Sequence, residues 1–253
     1  MIPKIIHYCW FGRGEMPELV LRCIASWHTH MLDWEYRLWT EASLSQTLSP
    51  LKGGEDYWLE FMPAYVKEAY QAKKYAFVSD YVRLWALEQY GGLYMDVDFE
   101  VYKPFDDLME QYEAFVGYEG SKRNPVMMGV IAARAHHPWI KEMMQIYNER
   151  SFINTDGSYD MTPNTGYFLN WMQERGFVAD GHEKYFMGVH VFPVEYFCPV
   201  LTTGENLRCE LTYCEHKGLH SWSGSGGWKE KLLRVFGEKW KPKLIKLKRK
   251  LLG

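Results

Sequence analysis

Two aspartates, two positions apart, are the clearest candidates for chemistry in this chain. Asp96 and Asp98 follow the turn signal Gly91-Gly92, and from residue 93 to 101 apolar residues alternate with polar or acidic ones. This alternation predicts one strand with an apolar face and an acidic face. Both carboxylates should then point the same way, with α-carbons about 7 Å apart, a spacing that suits a hard cation also bound to a diphosphate. A solvated strand face is the alternative.

A charged pair, Asp80 and Arg83, precedes the two aspartates. Residues 63–90 are rich in helix formers and have no internal Gly or Pro, which predicts one long helix ending at Gly91. Asp80 falls in line with the apolar stripe of this helix, and Arg83 lies one step along the same face. A charge in that position needs a partner, so the two form either a functional pair or a buried structural salt bridge.

The combination of these motifs carries a family resemblance. Ser79-Asp80-x-x-Arg83 followed by Gly91-Gly92-x-Tyr94-x-Asp96-x-Asp98 resembles the DXD-containing sugar-transferase region. Fungal outer-chain α-1,6-mannosyltransferases, bacterial capsule and lipopolysaccharide glycosyltransferases and the catalytic domain of large clostridial glucosylating toxins share that region. The resemblance implies a GT-A fold and retaining transfer of a hexose from a nucleotide-diphosphate sugar, with UDP-sugars favoured and GDP-mannose as the alternative. It also implies a divalent metal, with Mn²⁺ favoured over Mg²⁺.

The resemblance also implies roles for individual residues. The implied catalytic residues are Asp80, Arg83 and Asp98. The implied donor-binding residues are Trp10, Phe11, Asp80, Arg83, Tyr94, Asp96, Asn164, Thr165, Trp222 and Trp228. The implied metal ligands are Asp96, Asp98 and His220. No residue is assigned as a covalent nucleophile.

The assignment of Trp10 and Phe11 depends on the first predicted strand. Residues 5–12 look like a buried strand that opens into a glycine-containing loop, where a doubly wound sheet accepts a nucleotide at its carboxyl edge. The indole of Trp10 offers a flat face to a nucleotide base. A core tryptophan at a strand end is the alternative.

Two later segments contribute the remaining candidates. Asn164 and Thr165 lie in a turn signal before a predicted helix at 167–175, where sugar contacts and a plain helix cap are both open. Tyr167 stands where the family commonly has proline. The glycine-rich segment 214–228 suits a lid over a bound ligand, with a surface loop as the alternative. There His216 and His220 both qualify as the metal ligand, and we favour His220.

The predicted fold is a GT-A-type α/β single domain, with a Rossmann-like, mixed and mostly parallel sheet flanked by helices. Its predicted bounds are 1–228, followed by a basic amphipathic tail at 229–253. Further strands are expected at 34–39, 114–118, 126–133 and 189–193, the last with its exit at 195–199, and further helices are expected at 17–30 and 138–147. Five cysteines without a Cys-x-x-Cys pair argue against a disulfide framework and a zinc ribbon, and they favour a reducing cytoplasm.

The charge is distributed unevenly along the chain. Residues 229–253 hold ten Lys or Arg and two Glu, whereas residues 1–228 hold 19 Lys or Arg and 30 Asp or Glu. An acidic body argues against a nucleic-acid partner, and the tail fits an anionic membrane surface. Its leucines can share one side of a short helix, which is an interfacial pattern, although a solvated basic tail is equally open. No run approaches about 18 apolar residues. We expect a cytoplasmic protein, peripheral on the inner face of the cell membrane, with a polyprenyl-linked glycan as its acceptor.

Two other classes of function stay open. A metal-dependent nucleotidyl- or phosphotransferase would also need the carboxylates, and a non-catalytic carbohydrate-binding module would bind glycans but ignore nucleotides. The Trp10 loop and Arg83 argue against the module. A retaining glycosidase needs two carboxylates about 5.5 Å apart on opposite sides of a sugar ring, which two aspartates on one strand do not provide.

Overall fold

A seven-stranded sheet organises the chain, in the order β2-β1-β3-β6-β5-β8-β7. The computed structural model describes residues 1–48, 56–120, 126–201 and 203–218. A separate pair, β4 and β9, forms a two-stranded sheet. The strands are β1 (Ile5–Cys9), β2 (Glu35–Trp39), β3 (Gly92–Met95), β4 (Phe99–Val101), β5 (Ala114–Gly117), β6 (Val130–Ala133), β7 (Lys184–Phe186), β8 (Val189–Phe192) and β9 (Cys214–His216).

Helices flank this sheet. They are α1 (Glu18–His30), α2 (Glu41–Leu48), α3 (Ala64–Gln71), α4 (Tyr75–Tyr90), α5 (Asp106–Gln111), α6 (Pro138–Asn148), α7 (Asn164–Glu174) and α8 (Val194–Phe197), with a 3-10 helix at Tyr57–Phe61. Among the described residues, no helix is both long and apolar enough to cross a membrane. One hydrophobic core cluster contains residues from Ile2 to Cys214, so it joins elements along the whole described length.

The pairing of the strands confirms a mixed sheet. β1 pairs in parallel with β2 and β3, and β5 pairs in parallel with β8. The pairs β3–β6, β5–β6 and β7–β8 are antiparallel. Parallel and antiparallel pairs are therefore equal in number, and the sheet is more evenly mixed than the predicted mostly parallel one. Because β6 runs against both β3 and β5, strands β1, β3 and β5 share one direction, and their carboxyl ends meet at one edge.

The predicted single strand from 93 to 101 is wrong at its centre. β3 ends at Met95, a turn follows, and β4 begins at Phe99, whose N–H donates to the Asp96 carbonyl at 3.2 Å. Every residue of β3 is buried, because β1 and β6 pair with its two sides and helices cover the sheet. The aspartates therefore lie in the turn after a buried strand, and no acidic strand face exists at β3.

The predicted helix over 63–90 is divided into α3 and α4. Lys73 adopts a left-handed backbone conformation with φ of 56°, and the Lys74 N–H donates to the Ala69 carbonyl at 2.8 Å. The division places Tyr75 against the first loop: a Cβ on Gly12 would lie 2.4 Å from the Tyr75 ring. The predicted end of the helix is confirmed, since Gly91 has φ of 64° and its N–H donates to the Leu87 carbonyl at 2.9 Å.

Other boundaries differ in smaller ways. The helix predicted at 167–175 begins at Asn164, because the turn signal itself forms its first turn. The strand predicted at 126–133 is regular only over β6. The segment 195–199, predicted as the exit of the strand at 189–193, contains the last three residues of α8. The first helix and the second strand lie where they were predicted.

A buried histidine links the first strand to the end of α4. The indole Nε1 of Trp39 donates to Nδ1 of His7 at 3.1 Å, so His7 must donate from Nε2 to the Gly91 carbonyl, 2.8 Å away. Burial lowers the pKa of His7 to about 4. The neutral ring therefore holds β1, β2 and the Gly91 turn together.

We expect this histidine to make the folded protein less stable as the pH falls. The unfolded chain binds a proton near pH 6.5 and the folded chain near pH 4, so the contribution of neutral His7 is complete above pH 6.5 and is lost between pH 6.5 and 4. The loss is on the order of 3 kcal/mol. His7→Gln keeps a donor to Gly91 and should remove this part of the pH slope. Equal slopes in urea unfolding of wild type and variant would show that His7 is not responsible.

Candidate active site

A cleft of about 540 Å³ opens at the edge where β1, β3 and β5 end. α4, the first turn of α7 and His216 at the end of β9 complete its wall. All predicted site residues that fall within the described ranges line this cleft. They are Trp10, Phe11, Asp80, Arg83, Tyr94, Asp96, Asp98, Asn164 and Thr165. The other three predictions, His220, Trp222 and Trp228, lie outside the described residues.

The predicted pair Asp80 and Arg83 forms a buried ion pair that faces the cleft. Nη2 of Arg83 and Nδ2 of Asn164 both lie 2.8 Å from Oδ1 of Asp80, so two donors converge on one oxygen. Burial raises the pKa of Asp80 to about 6, although the charge of Arg83 opposes the rise. α4 and the first turn of α7 are thereby joined at the cleft wall, and the structural and functional explanations of the pair are compatible.

Arg83 connects this pair to the turn that carries Asp96 and Asp98, which we call the DXD turn. Its Nη2 lies 3.4 Å from Oδ1 of Asp96, and its Nη1 donates to the Met128 carbonyl at 2.5 Å. Its guanidinium carbon lies 4.6 Å from the centre of the Tyr94 ring. Burial acts against the charged form, but Asp96, Tyr94 and Asp80 raise the pKa of Arg83. Arg83 is therefore a fixed cation between two carboxylates.

The first aspartate of the DXD turn is held on several sides. The Tyr94 hydroxyl donates to Oδ1 of Asp96 at 2.7 Å, and the Asp96 N–H donates to the Gly129 carbonyl at 2.8 Å. Burial raises the pKa of this carboxyl, against the effect of Arg83. A Cβ on Gly129 would lie 2.9 Å from Oδ2 of Asp96 and 2.8 Å from the Phe99 ring. Gly129 is therefore the residue that leaves room for this carboxylate.

Asp98, the second aspartate of the DXD turn, pairs with His216, which was one of two histidines that qualified as the metal ligand from the sequence. Nε2 of His216 donates to Oδ2 of Asp98 at 3.1 Å, and the Lys217 N–H donates to the Asp98 carbonyl at 2.8 Å. The His216 ring stacks on Phe99 at 4.8 Å with an interplanar angle of 11°. Burial opposes protonation of this ring, but Asp98 raises the pKa of His216 to about 9. His216, the less favoured of the two candidates, is thus placed at Asp98.

The first loop forms the other end of the cleft. Nε1 of Trp10 donates to the Gly14 carbonyl at 2.6 Å, and the Gly12 N–H donates to Oε1 of Glu41 at 2.8 Å. Glu41 is buried although it lies just beyond β2. Phe11 is only 8% exposed and stacks on Trp58 at 5.7 Å, so most of its ring belongs to the core. Trp10 is the residue of this loop with an available aromatic face.

Glu119 is the main cleft residue that the sequence reasoning missed. It lies two residues after β5, at the same sheet edge as Trp10 and Asp96, and it lines the cleft. Burial raises the pKa of its carboxyl. Lys73, Lys74 and Ser79 also line the cleft without having been predicted. An acidic residue directly after a predicted strand was the available signal for Glu119, but it gains meaning only from the order of the strands.

Comparison with known proteins points to the same part of the chain. The family described as a glycosyltransferase sugar-binding region containing a DXD motif matches residues 17–115. The predicted resemblance to the DXD-containing sugar-transferase region is confirmed over this segment.

Individual relatives and structures are similar to parts of the chain. Inositol phosphoceramide mannosyltransferase 3 of Schizosaccharomyces pombe is 29% identical over 145 residues, which are 57% of this chain and 36% of that protein. Inositol phosphoceramide mannosyltransferase 1 of the same yeast is 31% identical over 44% of this chain and 32% of its own length. The chain thus spans about a third of these relatives. The solved galactosyltransferase LgtC covers 94% of this chain and 99% of its own, with 11% identity and a TM-score of 0.44.

A methyl group at Gly129 should disturb the DXD turn. Gly129→Ala places a Cβ within 3 Å of Asp96 and Phe99, so the carboxylate must move. We expect a loss of about 1–3 kcal/mol in unfolding free energy and about tenfold weaker binding of UDP in the presence of Mn²⁺, measured by calorimetry. Gly14→Ala is the matched control, because its Cβ would meet nothing within 4 Å. Equal UDP affinity in the two variants would contradict the role of Gly129.

Proposed function

We propose that this protein transfers a hexose from a nucleotide-diphosphate sugar to a glycan acceptor with the help of a divalent metal. The observation that carries the proposal is that Arg83 joins Asp80 to Asp96 within one cleft that also contains Trp10. One wall of the cleft then carries groups that can orient a sugar, the DXD turn, and the indole of Trp10, which can stack on a base. The family match to residues 17–115 supports this assignment.

The donor would lie along that wall. Trp10 offers an aromatic face to the base, as single aromatic side chains do with little discrimination between bases. Asp80, Arg83 and Asn164 would bind hydroxyl groups of the sugar through charge-assisted hydrogen bonds. Tyr94 and Thr165 would make the flanking contacts. A UDP-sugar is the favoured donor, and GDP-mannose is the alternative that the named mannosyltransferase relatives support.

The residues of the DXD turn fit a divalent cation by their chemistry. Asp96 and Asp98 are carboxylates that line the cleft, and oxygen ligands of this kind suit Mn²⁺ and Mg²⁺. Within the described ranges no cluster of three or more His, Cys, Asp or Glu side chains can hold a metal ion. The diphosphate of the donor would supply further oxygens. A bound divalent cation stabilises negative charge on a departing diphosphate.

The protein's own groups would prepare the donor for transfer. Arg83 keeps its positive charge near the diphosphate end, while Asp80 and Asn164 fix the sugar so that its anomeric carbon faces the open side of the cleft. Asp98 and His216 hold the DXD turn against β9. The family resemblance supports transfer with retention of configuration and a role in bacterial surface polysaccharide synthesis, and both are parts of this proposal.

A ligand panel tests the proposal directly. UDP- and GDP-hexoses are added with and without Mn²⁺, and the melting temperature is recorded, because only a ligand of the folded state stabilises it by mass action. We expect a Mn²⁺-dependent rise for one nucleotide class and release of nucleoside diphosphate when p-nitrophenyl hexosides are supplied as acceptors. Release of nucleoside monophosphate would favour a nucleotidyl- or phosphotransferase. Binding of glycans with no response to nucleotides would favour a carbohydrate-binding module.

Asp98→Asn should abolish metal binding and leave the fold intact. The amide keeps the size of the side chain but removes the charge, so we expect loss of the Mn²⁺-dependent shift and a drop of 100-fold or more in turnover, with a cooperative unfolding transition retained. Asp33→Asn changes an exposed aspartate and should leave both readouts near wild type. Unchanged turnover of Asp98→Asn would rule out the metal assignment.

The basic tail leads to a separate prediction about localisation. We propose that residues 229–253 attract the protein to the cytoplasmic face of the membrane, where a polyprenyl-linked acceptor would lie, because clustered Lys and Arg contribute about 1 kcal/mol each near anionic lipid. Deleting residues 239–253 should release the protein from phosphatidylglycerol vesicles at physiological salt, as measured by sedimentation. Activity on soluble p-nitrophenyl hexosides should persist. Equal vesicle binding by both forms would leave the tail as a solvated end.

A further inference from the structure

A short hairpin beside the cleft has no part in the proposed function so far. We call residues 151–160 the rim hairpin. Its two arms meet at an antiparallel bridge between Ile153 and Tyr159, and the turn between them contains Gly157, with φ of 83°. Residues 163–165 follow soon after it and line the cleft. The rim hairpin is therefore close to the place where the donor sugar would bind.

Hydrogen bonds hold the rim hairpin in a fixed position. Oε2 of Glu68, on α3, accepts hydrogen bonds from the N–H groups of Phe152 at 2.7 Å and Ile153 at 3.0 Å. The carboxylate of Asp160 accepts a hydrogen bond from the Tyr167 hydroxyl at 2.8 Å, which joins the hairpin to α7. A side chain on a hairpin fixed in this way can contact a ligand with little loss of backbone freedom.

Tyr159 is the exposed aromatic ring of the rim hairpin. It stacks on Phe152 at 5.4 Å with an interplanar angle of 19°, yet 45% of the residue is exposed. Phe152 is itself fully buried and contacts Tyr65 and Phe77. Phe77 also lines the cleft. The Tyr159 ring is thus supported by the core, close to the cleft, and offers its remaining surface to solvent.

The rim hairpin and the nucleotide loop lie on different sides of α4. The nucleotide loop approaches Tyr75, since a Cβ on Gly12 would lie 2.4 Å from that ring. The rim hairpin packs on Phe77, whose ring centre is 5.1 Å from that of Phe152. Residues two apart on a helix point about 200° apart. The hairpin is therefore separated from the proposed site of the nucleotide base by the first turn of α4.

The surface around Tyr159 suits a sugar. Ile153 is the other exposed apolar side chain of the hairpin, and residues 154–158 at its tip are polar or glycine and exposed. A hexose has a C–H face that packs on the electron-rich face of an aromatic ring, and hydroxyl groups that need polar neighbours. Two exposed apolar side chains are too few for the large patch typical of a protein partner. The exposed Asp156 at the tip opposes contact with anionic lipid.

We propose that the rim hairpin binds the glycan acceptor, with one hexose of the acceptor stacked on the Tyr159 ring. This inference rests on the proposed function and names a site for its acceptor. With the base at Trp10 and the donor sugar at Asp80 and Asn164, the hairpin lies at the sugar end of the donor. Tyr159 holds the acceptor and takes no part in the exchange of bonds, so the proposal is compatible with retention of configuration.

Variants of Tyr159 test the inference in transfer assays. The acceptors are methyl α-glucoside, α-galactoside and α-mannoside, because a nitrophenyl ring would itself stack on Tyr159. Tyr159→Ala should raise the acceptor KM about five- to tenfold and leave kcat within about twofold, since the contact is made equally before and during transfer. The affinity for UDP or GDP with Mn²⁺ should stay within about twofold. Tyr159→Phe keeps the ring and should restore the KM. Tyr185→Ala removes an exposed tyrosine on the edge strand β7 and is the matched control.

Direct binding separates this inference from the proposed function. In saturation-transfer NMR the same methyl hexosides should receive magnetisation from the wild-type protein and from Tyr159→Phe, and much less from Tyr159→Ala. If wild type and Tyr159→Ala have equal KM values and equal NMR signals, the inference is overturned and the proposed function stands. An equal loss in Tyr159→Phe and Tyr159→Ala would also overturn it, because the hydroxyl and not the ring would then be the contact.

The wild-type protein gives the remaining outcomes. If it binds no nucleotide and transfers no sugar, the proposed function fails. A hexoside signal that depends on the Tyr159 ring would then still support a glycan site on the rim hairpin. If none of the three hexosides gives a signal with the wild-type protein, with or without UDP and Mn²⁺, the inference is overturned.

Discussion

The buried guanidinium of Arg83 is the group on which the rest of the site depends. It contacts Asp80, Asp96 and the Met128 carbonyl, and its Nε donates to the Ser79 carbonyl at 3.2 Å. A buried charge is tolerated only where such partners surround it, and loss of one partner typically costs about 3–5 kcal/mol. α4, the DXD turn and the segment before β6 are thus held by one side chain. The carboxylates are in place before a substrate binds, which favours catalysis by preorganised charges.

The location of the cleft follows from the direction of the strands. β1, β3 and β5 end at one sheet edge, so the residues just beyond them meet there although they are far apart in sequence. Ligands of α/β sheets commonly bind outside the carboxyl ends of strands. The buried histidine and Gly91 anchor β3 at its other end, because they fix the point where α4 gives way to this strand. The loops can then differ in sequence while the edge that positions them stays the same.

The sequence was sufficient where spacing alone determines proximity. The i, i+3 relation brings Asp80 to Arg83, and the glycine stop at Gly91 predicts the direct entry into β3. It was insufficient where packing decides. No Gly or Pro marks the break between α3 and α4 at Lys73. The interruption between β3 and β4 depends on the strands that neighbour β3. Glu119 could be recognised only once β5 was known to lie beside β6.

The close contact between Gly12 and the Tyr75 ring has a consequence for how the cleft can be altered. Gly12 follows the tryptophan of the first loop, and Tyr75 begins the helix that carries Asp80 and Arg83. With no space for a Cβ between them, the loop and the helix must shift together if either shifts. Redesign of nucleotide preference would therefore have to change side chains that face the cleft and leave this contact intact, or the sugar-orienting groups would lose their alignment as well.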